Sequence, residues 1–234
     1  MSNTGPLPSP KEFTTQIFTK AELLSQPALN NATISLITTA FLSHKVHDPD
    51  AWDKTSRRFP PSTLPVNPGL ADVLGDDGLC AVVCDAETGT VVATASVTHW
   101  PDFSGVNTAS DAEDAPIGSE GLDWEVKCVA SLDKPEYRGQ GVAIRASAAV
   151  EEALRARIGG GAEALRLWIM CNEDRVGPYW RRRGYGEVLT IVPPVGTWGS
   201  RREFVIGVYA KGGQGDVDVK RLREWLEEYF KSGN

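Results

Sequence analysis

The sequence predicts an α/β (α+β) fold, a mixed and mostly antiparallel central sheet of about 6–7 strands with helices on both faces. Three observations predict it. Short β-rich runs alternate with amphipathic helical stretches along most of the chain. Two of those runs flank a short Gly-containing turn, the signature of paired antiparallel strands. A third run breaks at a Gly-x-Gly turn and passes straight into a long helix.

The elements follow in order. Residues 1–12 are rich in Pro and Gly and read as a flexible N-terminal arm, and 13–234 as a single domain. Phe13–Phe18 (FTTQIF) is β-branched and aromatic enough for a first strand. Ile34, Ile37 and Phe41 share one helical face within 32–42, and Asn31 or Thr33 can supply the cap. Residues 45–78 form an insertion loop with one short helix. LCAVVCD (79–85) and VVATASVTH (91–99) are the hairpin, closed by Ala86-Glu87-Thr88-Gly89. Residues 100–123 are small, polar and acidic, a second insertion loop. WEVKCVASL (124–132) resumes a strand and leads to Arg138-Gly139-Gln140-Gly141. The helix beyond carries Ala143, Ala146, Val150, Leu154 and Ile158 on one side and stops at Gly159-Gly160-Gly161. A strand at 164–170, a helix at 173–183 and strands at 185–192 and 203–209 complete the sheet. An added helix at 216–231 closes the chain.

Composition narrows the function. With 24 Lys+Arg against 31 Asp+Glu, the 234 residues carry a net charge of -7. No basic excess exists to replace phosphate counterions, which argues against a nucleic-acid partner. No apolar run reaches the roughly 20 residues of a membrane span, so no membrane partner is expected. The first residues lack a basic and apolar leader, which places the protein in the cytoplasm. Cys80, Cys84, Cys128 and Cys171 form no C-x-x-C pair, and His44, His47 and His99 show no zinc spacing. Reduced thiols and no metal follow.

The chemistry concentrates at the strand-to-helix turn. A strand that flows through Gly-x-Gly into a helix leaves amides unpaired at the helix start, and the helix dipole favours an anion there. Arg138 adds a cation at the lip. The spacing fits neither a P-loop nor a Rossmann fingerprint, because Ile144 holds the third Gly position. A phosphate or diphosphate cradle and a plain strand-to-helix turn are the readings that remain for Gly139–Gly141.

Pro135 to Ala143 (PEYRGQGVA), between a strand and a long amphipathic helix, resembles motif A of the GNAT superfamily of N-acetyltransferases. Its Arg/Gln-x-x-Gly-x-Gly/Ala pattern is met by Arg138, Gly141 and Ala143. Cys171-Asn172-Glu173-Asp174 and Gly177 to Tyr185 look like motif B. The resemblance covers roughly residues 13–209. It implies acetyl-CoA as co-substrate, with main-chain groups near Ser131 and Leu132 pairing with the pantetheine arm. The amides of Arg138, Gly139, Gln140, Gly141, Val142 and Ala143 would hold the diphosphate, and Asn172 would open motif B beside the cofactor.

By the same resemblance a primary amine attacks the thioester directly, an oxyanion is held by N–H donors, and an acid returns a proton to the thiolate. The acid tyrosine of the family lies four residues before the motif B glycine, which here is Trp180, or seven after the asparagine, which is Tyr179. The two registers disagree by one residue, and only Tyr179 can donate. Glu125, early on the strand, is the candidate base, with a solvated or ion-paired role as the alternative. The acidic run 111–123 suits either steering of a cationic amine or a solubilising loop. Arg181-Arg182-Arg183 suits a helix C-terminus or a cofactor phosphate. Trp52, Trp100 and Trp198 suit core packing or an acceptor pocket. The expected activity is acetyl transfer to a small-molecule amine by a monomer or homodimer. A protein N-terminal or lysine acetyltransferase, and a non-catalytic acyl-CoA-binding regulatory module, are the alternatives.

Overall fold

A computed structural model describes residues 11–59, 61–100, 122–213 and 217–232, without the side chains of 160–162. The elements run β1 (Phe13–Phe18), α1 (Lys20–Ser25), α2 (Pro27–His47), α3 (Gly69–Leu74), β2 (Leu79–Asp85), β3 (Val91–His99) and β4 (Asp123–Ser131). They continue with α4 (Val142–Ile158), β5 (Arg166–Asn172), α5 (Glu173–Arg181), β6 (Gly186–Ile191), β7 (Ile206–Gly212) and α6 (Val219–Lys231). Seven strands form one mixed sheet in the order β1-β2-β3-β4-β5-β7-β6. β1–β2, β5–β7 and β6–β7 pair antiparallel, and β4–β5 pair in parallel.

The described residues group into two compact units, the first from residues up to 41, 59–96 and 128–153, the second from 42–58, 97–127 and 154 onward. In the first unit, α1 begins at a capping box. Thr19 Oγ1 accepts the Glu22 amide at 3.4 Å and Glu22 accepts the Thr19 amide at 2.8 Å. Only Gln26 separates it from α2, whose first residue, Pro27, has its fixed φ suited to a helix start. The expected cap at Asn31 or Thr33 is thereby corrected, since both lie inside α2. Asn31 reaches out to the Pro65 carbonyl and the Asn67 amide, and Thr33 bonds back to the Leu29 carbonyl. Ile34, Ile37, Leu70 and Leu74 bury against Cys80, Val82, Cys128 and Ala130. The stripe on α4 starts at Val142 rather than Ala143 and continues through Ala146 and Val150.

The second unit is built around aromatic side chains. Trp100 stacks on Trp168 with ring centroids 4.9 Å apart, and Trp52 meets Phe204 edge-on at 5.0 Å. Trp198 is partly buried beside them, so these three tryptophans pack in a core. Leu222, Leu226 and Phe230 on α6 are buried in the same cluster. Burying each side chain is worth about 1.5–3 kcal/mol, enough to dock a helix that is polar on its other face. That helix starts at the Asp218 cap, which accepts the Arg221 amide at 3.0 Å, later than the 216 expected.

Candidate functional site

In the first unit, the end of β4 and the turn after it carry the residues expected to form the cradle. Trp100 donates its amide to Asp123, and Leu132 donates its amide to Val92 at 2.8 Å. One more residue of β4 than of β3 lies between those two bonds, so β4 carries a bulge. Cys128, with φ +55 in mid-strand, is where the extra residue sits. Because Leu132 faces β3, the alternation of an antiparallel ladder turns the main-chain groups of Ser131 and Val129 the other way. Leu132 has both groups engaged, its carbonyl accepting the Lys134 amide at 3.0 Å. Of the expected pair, Ser131 therefore turns its main-chain groups away from β3, and Val129 does the same. Sequence reasoning missed Val129, and the period of 2 could have found it once the β3 register was known.

The turn divides its amides. Arg138 donates to the Lys134 carbonyl at 3.2 Å and Gln140 to the Tyr137 carbonyl at 3.3 Å, so those two are spent holding the turn together. The first helical bond runs from Arg145 to the Gly141 carbonyl at 2.9 Å. Among the described residues, the amides of Gly139, Gly141, Val142, Ala143 and Ile144 have no acceptor. Gly139 and Gly141 have φ +73 and +70, and an added Cβ on either would meet nothing within 4 Å. The glycines are required for backbone conformation, and the surface above them is open. Amides without acceptors at a helix N-terminus suit a diphosphate by charge and by donor type. Arg138 itself is exposed and paired with Asp133 at 2.8 Å. A cleft of about 580 Å³ runs beside this segment, lined by Ala32, Leu36 and Thr39 of α2, Val91, Leu132 and Lys134.

In the second unit, the β4–β5 ladder lasts three pairs, from Asp123↔Arg166 to Glu125↔Trp168, although β5 continues to Asn172. Glu125 is 5% exposed and its carboxylate meets Lys127 Nζ at 2.6 Å. It is a buried, ion-paired anion on the strand. Asn172 is the cap of α5, its Oδ1 accepting the Arg175 amide at 3.1 Å. Its side chain thus fixes the helix start. Trp180 is buried and packs edge-on against Tyr185 at 5.2 Å. Tyr179 is half-buried, and its phenol oxygen has no hydrogen-bond partner among the described residues. Burial pushes that phenol up, and the Arg183 guanidinium, 3.3 Å from the ring centroid, pulls the other way. Of the two registers, only Tyr179 presents a hydroxyl not already committed.

Other expectations resolve less fully. Asp123 accepts Trp168 Nε1 at 2.5 Å and faces Arg166, so this end of the acidic run is engaged in structure. Residues 111–121 lie outside the described residues. Arg181 bonds Glu173 at 2.6 Å and the Tyr209 oxygen at 2.7 Å, while Arg183 donates to the Tyr179 carbonyl at 2.9 Å. The Glu173–Tyr209–Arg181 group was not foreseen, because it joins side chains from separate elements. Among the described residues no cluster of His, Cys, Asp or Glu could hold a metal ion.

No family sequence model matches the chain, and no curated protein matches it by sequence. Solved structures do match in fold. An aminoglycoside 6'-acetyltransferase type Ii matches with a TM-score of 0.52 at 10% identity, covering 87% of this chain and 99% of its own. An N-acetyltransferase from Staphylococcus aureus Mu50 matches with a TM-score of 0.52 at 12% identity, covering 86% and 98%. The chain therefore shares the fold of these two acetyltransferases. At such identities the likeness is one of fold. No helix among the described residues is long and apolar enough to cross a membrane.

Proposed function

We propose that this chain transfers an acetyl group from acetyl-CoA to a primary amine of a small molecule. The reading is carried by one observation: the amides of Gly139, Gly141, Val142, Ala143 and Ile144, at the turn that opens α4, have no acceptor among the described residues. A diphosphate accepts from such amides and gains the favourable end of the helix dipole. The main-chain edge at Val129 and Ser131 supports pairing with the amide groups of a pantetheine arm. The acceptor nitrogen bonds the thioester carbonyl carbon and the carbon–sulfur bond breaks. Tyr179 supplies the proton to the departing thiolate, because no residue among those described accepts its hydroxyl proton. Glu125 receives the proton that the incoming ammonium must lose, directly or through water. Its contact with Lys127 at 2.6 Å holds the carboxylate in place on β4.

The test is to incubate purified protein with acetyl-CoA and a panel of small amines and to follow release of free thiol. Thiol release that depends on one amine supports the reading. Thermal stabilisation by CoA without thiol release on any amine identifies a binding module instead. No stabilisation by CoA or acetyl-CoA rejects both.

A further inference from the structure

Asp85, the last residue of β2, is 1% exposed and uses its two carboxylate oxygens for different purposes. Oδ1 accepts the amides of Glu87 and Thr88 at 3.0 and 3.1 Å, fixing the β2–β3 turn. Oδ2 accepts Lys11 Nζ at 2.7 Å and the Tyr137 hydroxyl at 3.0 Å. Tyr137 is the residue immediately before Arg138, and its carbonyl accepts the Gln140 amide. It is 6% exposed, with its ring 6.3 Å from Phe13 and Lys11 Nζ 5.3 Å above it. On the far side of the turn, Arg145 donates to the Phe13 carbonyl at 3.0 Å. β1 and β2 thus grip the glycine turn at its start, through Tyr137, and past its end, through Arg145.

We propose that Asp85 is a positioning residue for the diphosphate, acting through the Tyr137 hydroxyl. The inference rests on the acyl-CoA reading above. Gly139 and Gly141 give the turn its shape and, having no side chains, cannot hold it still. Main-chain amides attract a diphosphate strongly only when they converge before it arrives, because ordering them on binding costs conformational entropy. Tyr137 supplies the anchor at the entrance to the turn, and Asp85 holds Tyr137. Lys11 neutralises the carboxylate, so the anchor adds no net negative charge beside an anionic ligand.

Tyr137→Phe keeps the ring and removes only the hydroxyl, while Asp85→Asn removes the charge and also disturbs the β2–β3 turn. Titration calorimetry on the full chain compares CoA with pantetheine, which lacks the diphosphate. The expected result for Tyr137→Phe is a CoA Kd raised about tenfold, the scale of one lost hydrogen bond to a charged group, with the pantetheine Kd unchanged. Asp85→Asn, where it folds, shows the same selectivity. A Tyr137→Phe protein that binds CoA as tightly as the native chain overturns the proposal, as does equal weakening toward CoA and pantetheine. Native protein that binds neither overturns the acyl-CoA reading itself, and the inference with it.

Discussion

Tyr209, fully buried on β7, donates its hydroxyl to the Glu173 carboxylate in the first turn of α5. Arg181, two turns further along α5, donates to both of them. The group ties α5 to β7. Burial opposes charge on Glu173, yet the bonds from Tyr209 and Arg181 hold its carboxyl below the ordinary value.

The arrangement depends on Gly177, because an added Cβ there would meet Glu173 Oε1 at 2.6 Å and the Tyr209 hydroxyl at 2.6 Å. Neither atom is free to retreat, since both accept from Arg181 and the Tyr209 hydroxyl also donates to Glu173 Oε2. Gly177→Ala therefore costs about 1–3 kcal/mol through overpacking. Urea unfolding checks it. A midpoint equal to that of the native chain would show that the group yields easily.

Tyr179 separates stability from turnover. Its phenol oxygen is buried without a partner, so removing it gives up no bond within the described residues. Tyr179→Phe keeps or raises the melting temperature while turnover falls about 100-fold, the loss of a general acid. Full turnover in this variant would remove Tyr179 from the mechanism.

His44 predicts acid sensitivity. Burial, with Arg175 and Lys45 adding to it, lowers its pKa from 6.5 to about 4, and its ring meets Trp52 edge-on at 5.1 Å. The folded state holds the imidazole neutral, while the unfolded chain takes up a proton below 6.5. The stability from His44 is thus fully present above pH 6.5 and is lost as pH falls toward about 4. His44→Gln flattens the pH dependence of unfolding in that window. An unchanged slope contradicts the assignment.

The thiols predict a simple labelling pattern. Burial pushes Cys80 up to about 11 and Cys171 up to about 12, and both are buried, as is Cys128. Cys84 is the more accessible of the four. An aromatic disulfide reagent at neutral pH labels Cys84 first in native protein and all four in denaturant. Rapid native labelling that survives Cys84→Ser would contradict the burial of the others.

Local patterns carried much of this structure in the sequence. The β2–β3 hairpin was legible because alternation and a Gly-containing turn act within twenty-odd residues. The glycine turn was legible as a turn because Gly-x-Gly stands between a β-rich run and a long amphipathic stretch. Helix α1 was missed although Thr19 and Glu22 stand at capping-box spacing, and α2 begins at Pro27, ahead of the polar residues favoured as caps. What the sequence could not show is how donors are shared. Arg138 and Gln140 read like Gly139 and Gly141 in a linear motif, and only the folded turn shows their amides spent on Lys134 and Tyr137. The commitment of Asn172 to its own helix and of Glu125 to Lys127 depends equally on three-dimensional geometry.

The central claim is that the glycine turn receives the diphosphate of coenzyme A. Titrating ¹⁵N-labelled protein with CoA and following each amide tests it most directly. The account predicts saturable shifts at Gly139, Gly141, Val142 and Ala143, with smaller ones at Arg138 and Gln140, whose amides are already bonded. Saturable binding that leaves those four amides unmoved and shifts a different part of the chain would contradict it.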